Sequence, residues 1–435
     1  MFKLLLGVLF TSVCFAGSAQ QLYFPPLTGN VWETTDPSSL GWCEDSLQTL
    51  IDYVGSNNSK AFIILKDGKI VTENYYGTFT QDSLWYWASA GKSLTAFLIG
   101  MAQEEGLLDI NNLSSQYIGT GWTLAPAEKE SLITVRSQLT MTSGLDDGTG
   151  DADCTDDTCL IYLADAGTRW AYHNAPYTLL DEVIQGASGG SINQFYGSRM
   201  RQRIGMGTSL YVPLEYNNVM FSTARSFARF GLLMLNHGVW GEDTLLHDQD
   251  YYQAMINTSQ TINESYGYLW WLNGKNSFMY PQTQTVFPGP LMPEAPDDMF
   301  CALGKNGQYI NVVPEMNLVL IRMGDAPAGV AGLVPTVLDN EIWRRLNGVF
   351  CGTVGINKRL SGRHIFPNPS DDIITVSMDG NESVISIELL DLAGKSLMKN
   401  TGNRISTSNV SNGIYIIDVR LANGNRFMEK IIVAK

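Results

Sequence analysis

Basic residues are scarce. The 435-residue chain sets 28 Lys and Arg against 43 Asp and Glu, a formal net charge of −15, and has few basic clusters. A nucleic acid or an anionic membrane surface is therefore excluded as an expected partner. Histidine is scarcer still, with 4 residues scattered without metal-ligand spacing, so neither a metal site nor any cofactor is implied. Beyond the N-terminal run no stretch is long and apolar enough to span a bilayer. What remains is a chain 44% hydrophobic and only 16% charged, which suits one large core or two domains.

The N-terminus is an exception to that plain texture. Met1-Phe2-Lys3 gives a basic start, and Leu4 to Phe15 is a short apolar run. Gly17 and Ala19 supply small residues at the −3 and −1 positions of a cleavage site, so residues 1–19 read as a signal peptide. A lipid anchor on Cys14 would need small residues before it, and Val13 argues against that. Export places the five remaining cysteines in an oxidising compartment. Cys154 and Cys159 bracket a short polar loop and are expected to bond to each other. Cys43 and Cys351 flank the main domain and are the second expected pair, which leaves Cys301 as an odd buried thiol.

Two domains are expected, over residues 20–360 and 364–435. In the first, Glu44 to Val54 and Val337 to Leu346 read as amphipathic helices near its two ends. Ala61-Phe62-Ile63-Ile64-Leu65 and Lys69-Ile70-Val71 flank Asp67-Gly68, a hairpin signature. Asn311-Val312-Val313-Pro314 and Asn317-Leu318-Val319-Leu320-Ile321 form a second hairpin candidate. Strands near both ends with helices between them predict an α+β fold whose antiparallel sheet is closed by its ends and flanked by helices. After Gly362, short β-like runs at Ile373–Val376, Val384–Leu390, Gly413–Val419 and Lys430–Val433 alternate with turns and predict a small all-β sandwich.

Chemistry concentrates in the first domain. Ser89-Ala90-Gly91-Lys92 opens an apolar stretch, read as a helix from Ser89 to a glycine cap near Gly106. Residues three apart share a helix face, so the hydroxyl and the amine can meet. A desolvated lysine can take the serine proton, and the helix N-terminus favours an anion there. Further along come Leu139-Thr140-Met141-Thr142-Ser143-Gly144-Leu145, then Tyr172-His173-Asn174, then Gly304-Lys305-Asn306-Gly307-Gln308.

In this order the set resembles the serine β-lactamase and penicillin-binding superfamily, especially its class C β-lactamase, D-alanyl-D-alanine carboxypeptidase and esterase branch, over residues 40 to 350. The resemblance implies an acyl-enzyme on Ser89, proton traffic shared by Lys92 and Tyr172, and an Asn174 that hydrogen-bonds Lys92 and the substrate. It implies that Lys305 keeps the field positive and orients Tyr172 or a substrate carboxylate. The oxyanion would lie between the backbone N–H groups of Ser89 and Gln308. A phenol near two lysines is expected to have a lowered pKa, and which of Lys92 and Tyr172 is the formal base stays open. Gly304 and Gly307 are expected to let a substrate backbone approach. Two departures stand out: Lys-Asn-Gly replaces the usual Lys-Thr-Gly, and Met141 stands where relatives often have histidine.

The second domain carries its own signature. Phe366-Pro367-Asn368-Pro369, Asp391-Leu392-Ala393-Gly394-Lys395, Gly413-Ile414-Tyr415 and a tail ending in Lys435 resemble the C-terminal sorting domain of type IX secretion cargo. That implies the outer-membrane secretion machinery as a partner and a secreted or cell-surface destination. The expected activity is hydrolysis of a small ester or amide through an acyl-serine. Lactams or peptidoglycan peptides are the alternative substrates, and a non-catalytic binding protein on the same fold is the other alternative. Surface export argues against a D,D-peptidase, since peptidoglycan lies behind the outer membrane.

Some motifs are set aside. Gly186-Ala187-Ser188-Gly189-Gly190 matches a nucleophile elbow, but a helix precedes it, so it reads as a helix-ending turn. Asp146, Asp147, Asp151, Asp153, Asp156 and Asp157 crowd one loop without the glycine and ligand spacing of an EF-hand, and read as a stapled, solvated loop. His173 alternates away from Tyr172 and Asn174 and reads as structural. Trp85-Tyr86-Trp87 and Tyr266-Gly267-Tyr268-Leu269-Trp270-Trp271 are read as core or pocket wall, and Asn276 to Asp298 as a lid or wall segment.

Overall fold

Asp67 and Gly68 both take left-handed backbone angles, φ +53° and +82°, and so join β1 (Ser59–Lys66) to β2 (Lys69–Tyr75) as the Asp-Gly signature predicts. The computed structural model describes residues 22–435 apart from 149, 327–333, 335, 352–362, 369, 379–382, 392–394 and 423–425. The expected signal peptide, the boundary near residue 360 and parts of the Asp391–Lys395 and Asn423-Gly424 turns lie outside the described residues.

The main sheet runs β2-β1-β6-β5-β4-β3, with β3 (Trp271–Leu272), β4 (Phe300–Gly304), β5 (Gln308–Val313) and β6 (Leu318–Gly324). Pairing of β1 with β6 sets Ile63 opposite Ile321, so the first and last long strands of the domain close the sheet on each other. Alternate β5 residues face opposite layers. Asn311 donates to Asp339 on α4 (Thr336–Asn347), 2.7 Å away, and α1 (Glu44–Ser56) packs beside that helix. Ile310 faces α3 (Ala224–Leu235) on the other side. There a Cβ on Gly231 would stand 2.6 Å from Val319 Cγ1 and 3.0 Å from Ile310 Cγ2, so only glycine lets that helix lie this close.

Against β4 and α3 runs α2 (Gly91–Glu104), buried at every position from Gly91 to Ala102. A helix apolar on all sides belongs inside, and each large side chain such as Phe97 or Leu98 contributes about 1.5–3 kcal/mol by burial. Gly106, at φ +70°, ends it as expected: its N–H bonds the Gln103 carbonyl, while the Leu107 N–H bonds that of Ala102. The helix Leu180–Ser188 likewise stops at Gly189, φ +72°, which accounts for the decoy serine motif.

The C-terminal region forms two small sheets. One has the order β7-β8-β11, from β7 (Arg363–Phe366), β8 (Ile373–Met378) and β11 (Arg404–Ser406). The other runs β10-β9-β12-β13, from β9 (Val384–Leu390), β10 (Ser396–Thr401), β12 (Gly413–Leu421) and β13 (Arg426–Val433). Ile374, Val376, Ile387, Leu389, Ile417, Val419 and Ile431 form their shared core. Cys43 is bonded to Cys351 and Cys154 to Cys159, with Cα atoms 5.7 and 5.9 Å apart, and Cys301 is a buried thiol outside both pairs.

Candidate active site

Ser89 does not begin the α-helix. It sits in the tight 3-10 turn Ala88–Ala90, and α2 follows from Gly91. Ala88 holds φ +47°, a left-handed angle that costs a residue with a Cβ on the order of 1 kcal/mol or more. The turn abuts β4: a Cβ on Gly304 would stand 2.4 Å from the Trp87 carbonyl oxygen and 3.1 Å from the Ala90 nitrogen. Gly304 is thus required by the serine's own turn. Gly307, at φ +81°, is required by its turn and by Arg322, whose Nη1 would lie 2.4 Å from an added Cβ. The expectation that both glycines serve a substrate backbone gives way to these contacts.

Lys92, one helical turn beyond the serine, donates to Ser89 Oγ across 2.9 Å. Its side chain is 3% exposed, and its Nζ lies 4.1 Å from the Tyr177 ring centre and 5.1 Å from that of Tyr172. Burial depresses its pKa to about 7, with the negative charge of Asp153 pulling the other way. The amine therefore can be neutral near physiological pH while still touching the hydroxyl.

Tyr172 occupies the extended segment just before the short helix Asn174–Thr178. Its ring stacks on Trp271 at 5.6 Å and meets Tyr266 edge-on at 6.2 Å, so the Tyr266–Trp271 aromatics buttress it. Hydrogen bonds with Ser89 and Trp271 favour the phenolate, but burial outweighs them and raises its pKa. Burial thus opposes the expected lowering and favours the protonated phenol.

Asn174 also departs from expectation. Its Nδ2 donates to Asp153 Oδ1 at 2.6 Å, and its Oδ1 is buried without a hydrogen-bond partner among the described residues. Lys305 is exposed in the turn between β4 and β5, beyond the end of β4, which pairs with β3 only at Phe300 and Cys301. Gln308 is fully buried, its side chain bonded both ways to Gly324, with Nε2 to the carbonyl at 2.6 Å and Oε1 from the N–H at 3.0 Å. His173 is buried too, its pKa pushed down to about 4 by that burial, consistent with a packing role.

Asp153 and Arg322 were not singled out by sequence. Asp153 was one aspartate among six in its loop. Arg322 lies in the apolar strand Leu318–Gly324, and a charge there signals a buried partner set. Its guanidinium is fully buried, and it donates to the carbonyls of Asn306 (3.0 Å), Gly307 (2.7 Å), Asn57 (2.7 Å) and Asp325 (3.0 Å) and to Ser59 Oγ (2.7 Å). It thereby fixes the Lys305–Gly307 turn from beneath.

The Beta-lactamase family model matches residues 55–329, and the Secretion system C-terminal sorting domain model matches residues 364–434. A candidate β-lactamase from Bacteroides dorei DSM 17855 shares the fold, with TM-score 0.56 and 16% identity over 71% of this chain and 99% of its own. A candidate 6-aminohexanoate-dimer hydrolase from Bacillus anthracis gives 0.53 and 19% over 70% and 82%. A penicillin-binding protein homologue from Caulobacter crescentus gives 0.54 and 12% over 74% and 100%. A comparison with curated protein sequences gave no match.

Proposed function

The chain belongs to the beta-lactamase family and carries a type IX sorting domain that directs it to the cell surface or beyond; we propose that it is a serine hydrolase cleaving an ester or amide through an acyl-serine on Ser89. The 2.9 Å bond between Ser89 and a buried Lys92 carries this reading. With its pKa near 7, Lys92 accepts the Ser89 proton as Oγ attacks the substrate carbonyl. The oxyanion is held by the backbone N–H groups of Ser89 and Gln308, each such donor being worth about 2.7–4 kcal/mol of barrier. The leaving group then departs with a proton from Lys92 or from the phenol of Tyr172. Burial keeps that phenol protonated, which supports Lys92 as the base and Tyr172 as a donor. Water attacks the acyl-serine, and Ser89 regains its proton.

Intact mass after exposure to a fluorophosphonate, and separately to penicillin and nitrocefin, tests the proposal. An adduct mapping to Ser89 with no lactam adduct or turnover supports an esterase or amidase, with Ser89→Ala losing the adduct. Exposed Lys305 favours one second reading, a substrate bearing a carboxylate, and a lactam adduct would select it. Absence of any adduct would leave a binding protein on this fold.

A further inference from the structure

We propose that Asp153 is a positioning residue of this site: its carboxylate dictates which end of the Asn174 amide it holds, and it acts through its charge on Lys92. The proposal rests on the hydrolase reading above. An ionised carboxylate only accepts hydrogen bonds, so at 2.6 Å the donor end of Asn174 must face Asp153 and the carbonyl end must face away. That bond commits one of the two Nδ2 hydrogens to Asp153 and leaves one for a substrate carbonyl. The freed Oδ1 is an acceptor, buried beneath the site without a partner among the described residues.

Asp153 is itself held in place. The Ala175 N–H bonds the Ala152 carbonyl at 3.0 Å, the Cys154–Cys159 bond follows directly, and Asp147 pairs with Arg169 at 2.5 Å in the same loop. Around Lys92 stand the rings of Tyr172 and Tyr177, from the segment after the loop, and the charge of Asp153, from the loop itself. Of these, Asp153 is the one whose charge acts on the lysine, favouring the ammonium against burial.

The test is the rate of Ser89 labelling by a fluorophosphonate from pH 5 to 9. In that step Oγ bonds phosphorus, fluoride leaves, and the serine proton passes to Lys92. Asp153→Asn should move the acidic limb of labelling to lower pH, because the lysine loses the charge that retains its proton. It should also lower the plateau above that limb, because a less basic amine accepts the serine proton less readily. Asp153→Glu should bring the limb back, and Asp147→Asn, which loosens the same loop elsewhere, should leave it unmoved. An unshifted limb in a folded Asp153→Asn variant overturns the proposal, as does an equal shift in Asp147→Asn. Wild-type protein that never labels at Ser89 would instead bring down the hydrolase reading. The titration of ¹³Cε-lysine-labelled wild type and Asp153→Asn then decides the charge coupling, an unmoved Lys92 signal counting against it.

Discussion

The Asn306 side-chain amide donates to the Tyr86 hydroxyl across 2.7 Å, binding the tip of the β4–β5 hairpin to the segment three residues ahead of Ser89. Asn306 also holds φ +65°, an angle asparagine tolerates and a β-branched residue resists. The departure from Lys-Thr-Gly therefore has a backbone cause: this turn has the shape of an Asn-Gly pair.

Restoring the family's usual residue should consequently harm the protein. Asn306→Thr is expected to cost roughly 1–3 kcal/mol through left-handed strain, on top of the lost Tyr86 bond. Asn306→Gly, which relieves the angle but forfeits the bond, should cost only about 0.5–1.5 kcal/mol. Urea melts of the two variants give the order; a threonine variant as stable as the glycine one would refute the backbone explanation.

Lys92 couples stability to pH. Its folded pKa of about 7 lies below the ordinary 10.5. Between those values the unfolded chain holds a proton that the folded chain lacks, so this group makes stability rise with pH across that window, and below about 7 its full penalty applies. Lys92→Met should melt higher than wild type near pH 7, by ~2–4 °C for each kcal/mol relieved, while abolishing Ser89 labelling. The gap in Tm should narrow toward pH 10; a gap independent of pH would mean the lysine is not desolvated.

Gly304→Ala should strike the site without touching any polar group. An added Cβ meets the Trp87 carbonyl and the Ala90 nitrogen, both backbone, so the Ser89 turn or β4 must move. A displacement near 1 Å is worth about 10²-fold in rate. Labelling at Ser89 slowed by less than threefold would show that the turn can yield without consequence.

Arg322→Met removes five hydrogen bonds at once and leaves four carbonyls and a hydroxyl to find other partners. The expected loss is several kcal/mol, at roughly 1–3 for each group left unsatisfied. Arg322→Lys should recover part of it, since an ammonium lacks the planar fork. Equal denaturation midpoints for methionine and lysine would refute that partial recovery and show that a charge without the guanidinium fork does nothing for the turn.

How much of this was legible in the sequence depended on the range of the signal. Ser89 with Lys92, and Asp67-Gly68 between two apolar runs, are local patterns with one geometric outcome, and the structure has both. The flanking helices were also readable from periodicity, Glu44–Ser56 and Thr336–Asn347 exceeding the expected bounds by a residue or two at their ends. The Asp153–Asn174 bond spans 21 residues of irregular chain, where no period points from one partner to the other. Tyr172 was placed rightly as a neighbour of Ser89 but wrongly as an acidic phenol, because depth of burial is a property of the fold. Strands such as Ser396–Thr401 and Arg404–Ser406 went unread because they are short and mostly exposed, with little apolar alternation.

The Cys43–Cys351 bond closes a ring spanning 308 positions, and its two Cα atoms lie 5.7 Å apart. Everything needed for the proposed chemistry, from Ser89 to Gln308, is threaded on that ring, while the sorting domain hangs outside it. In mechanical terms the hydrolase is a loop suspended from a single knot. Traction applied to the tail at the cell envelope would be borne at the knot by covalent bonds, and the strands that frame the serine would feel none of it.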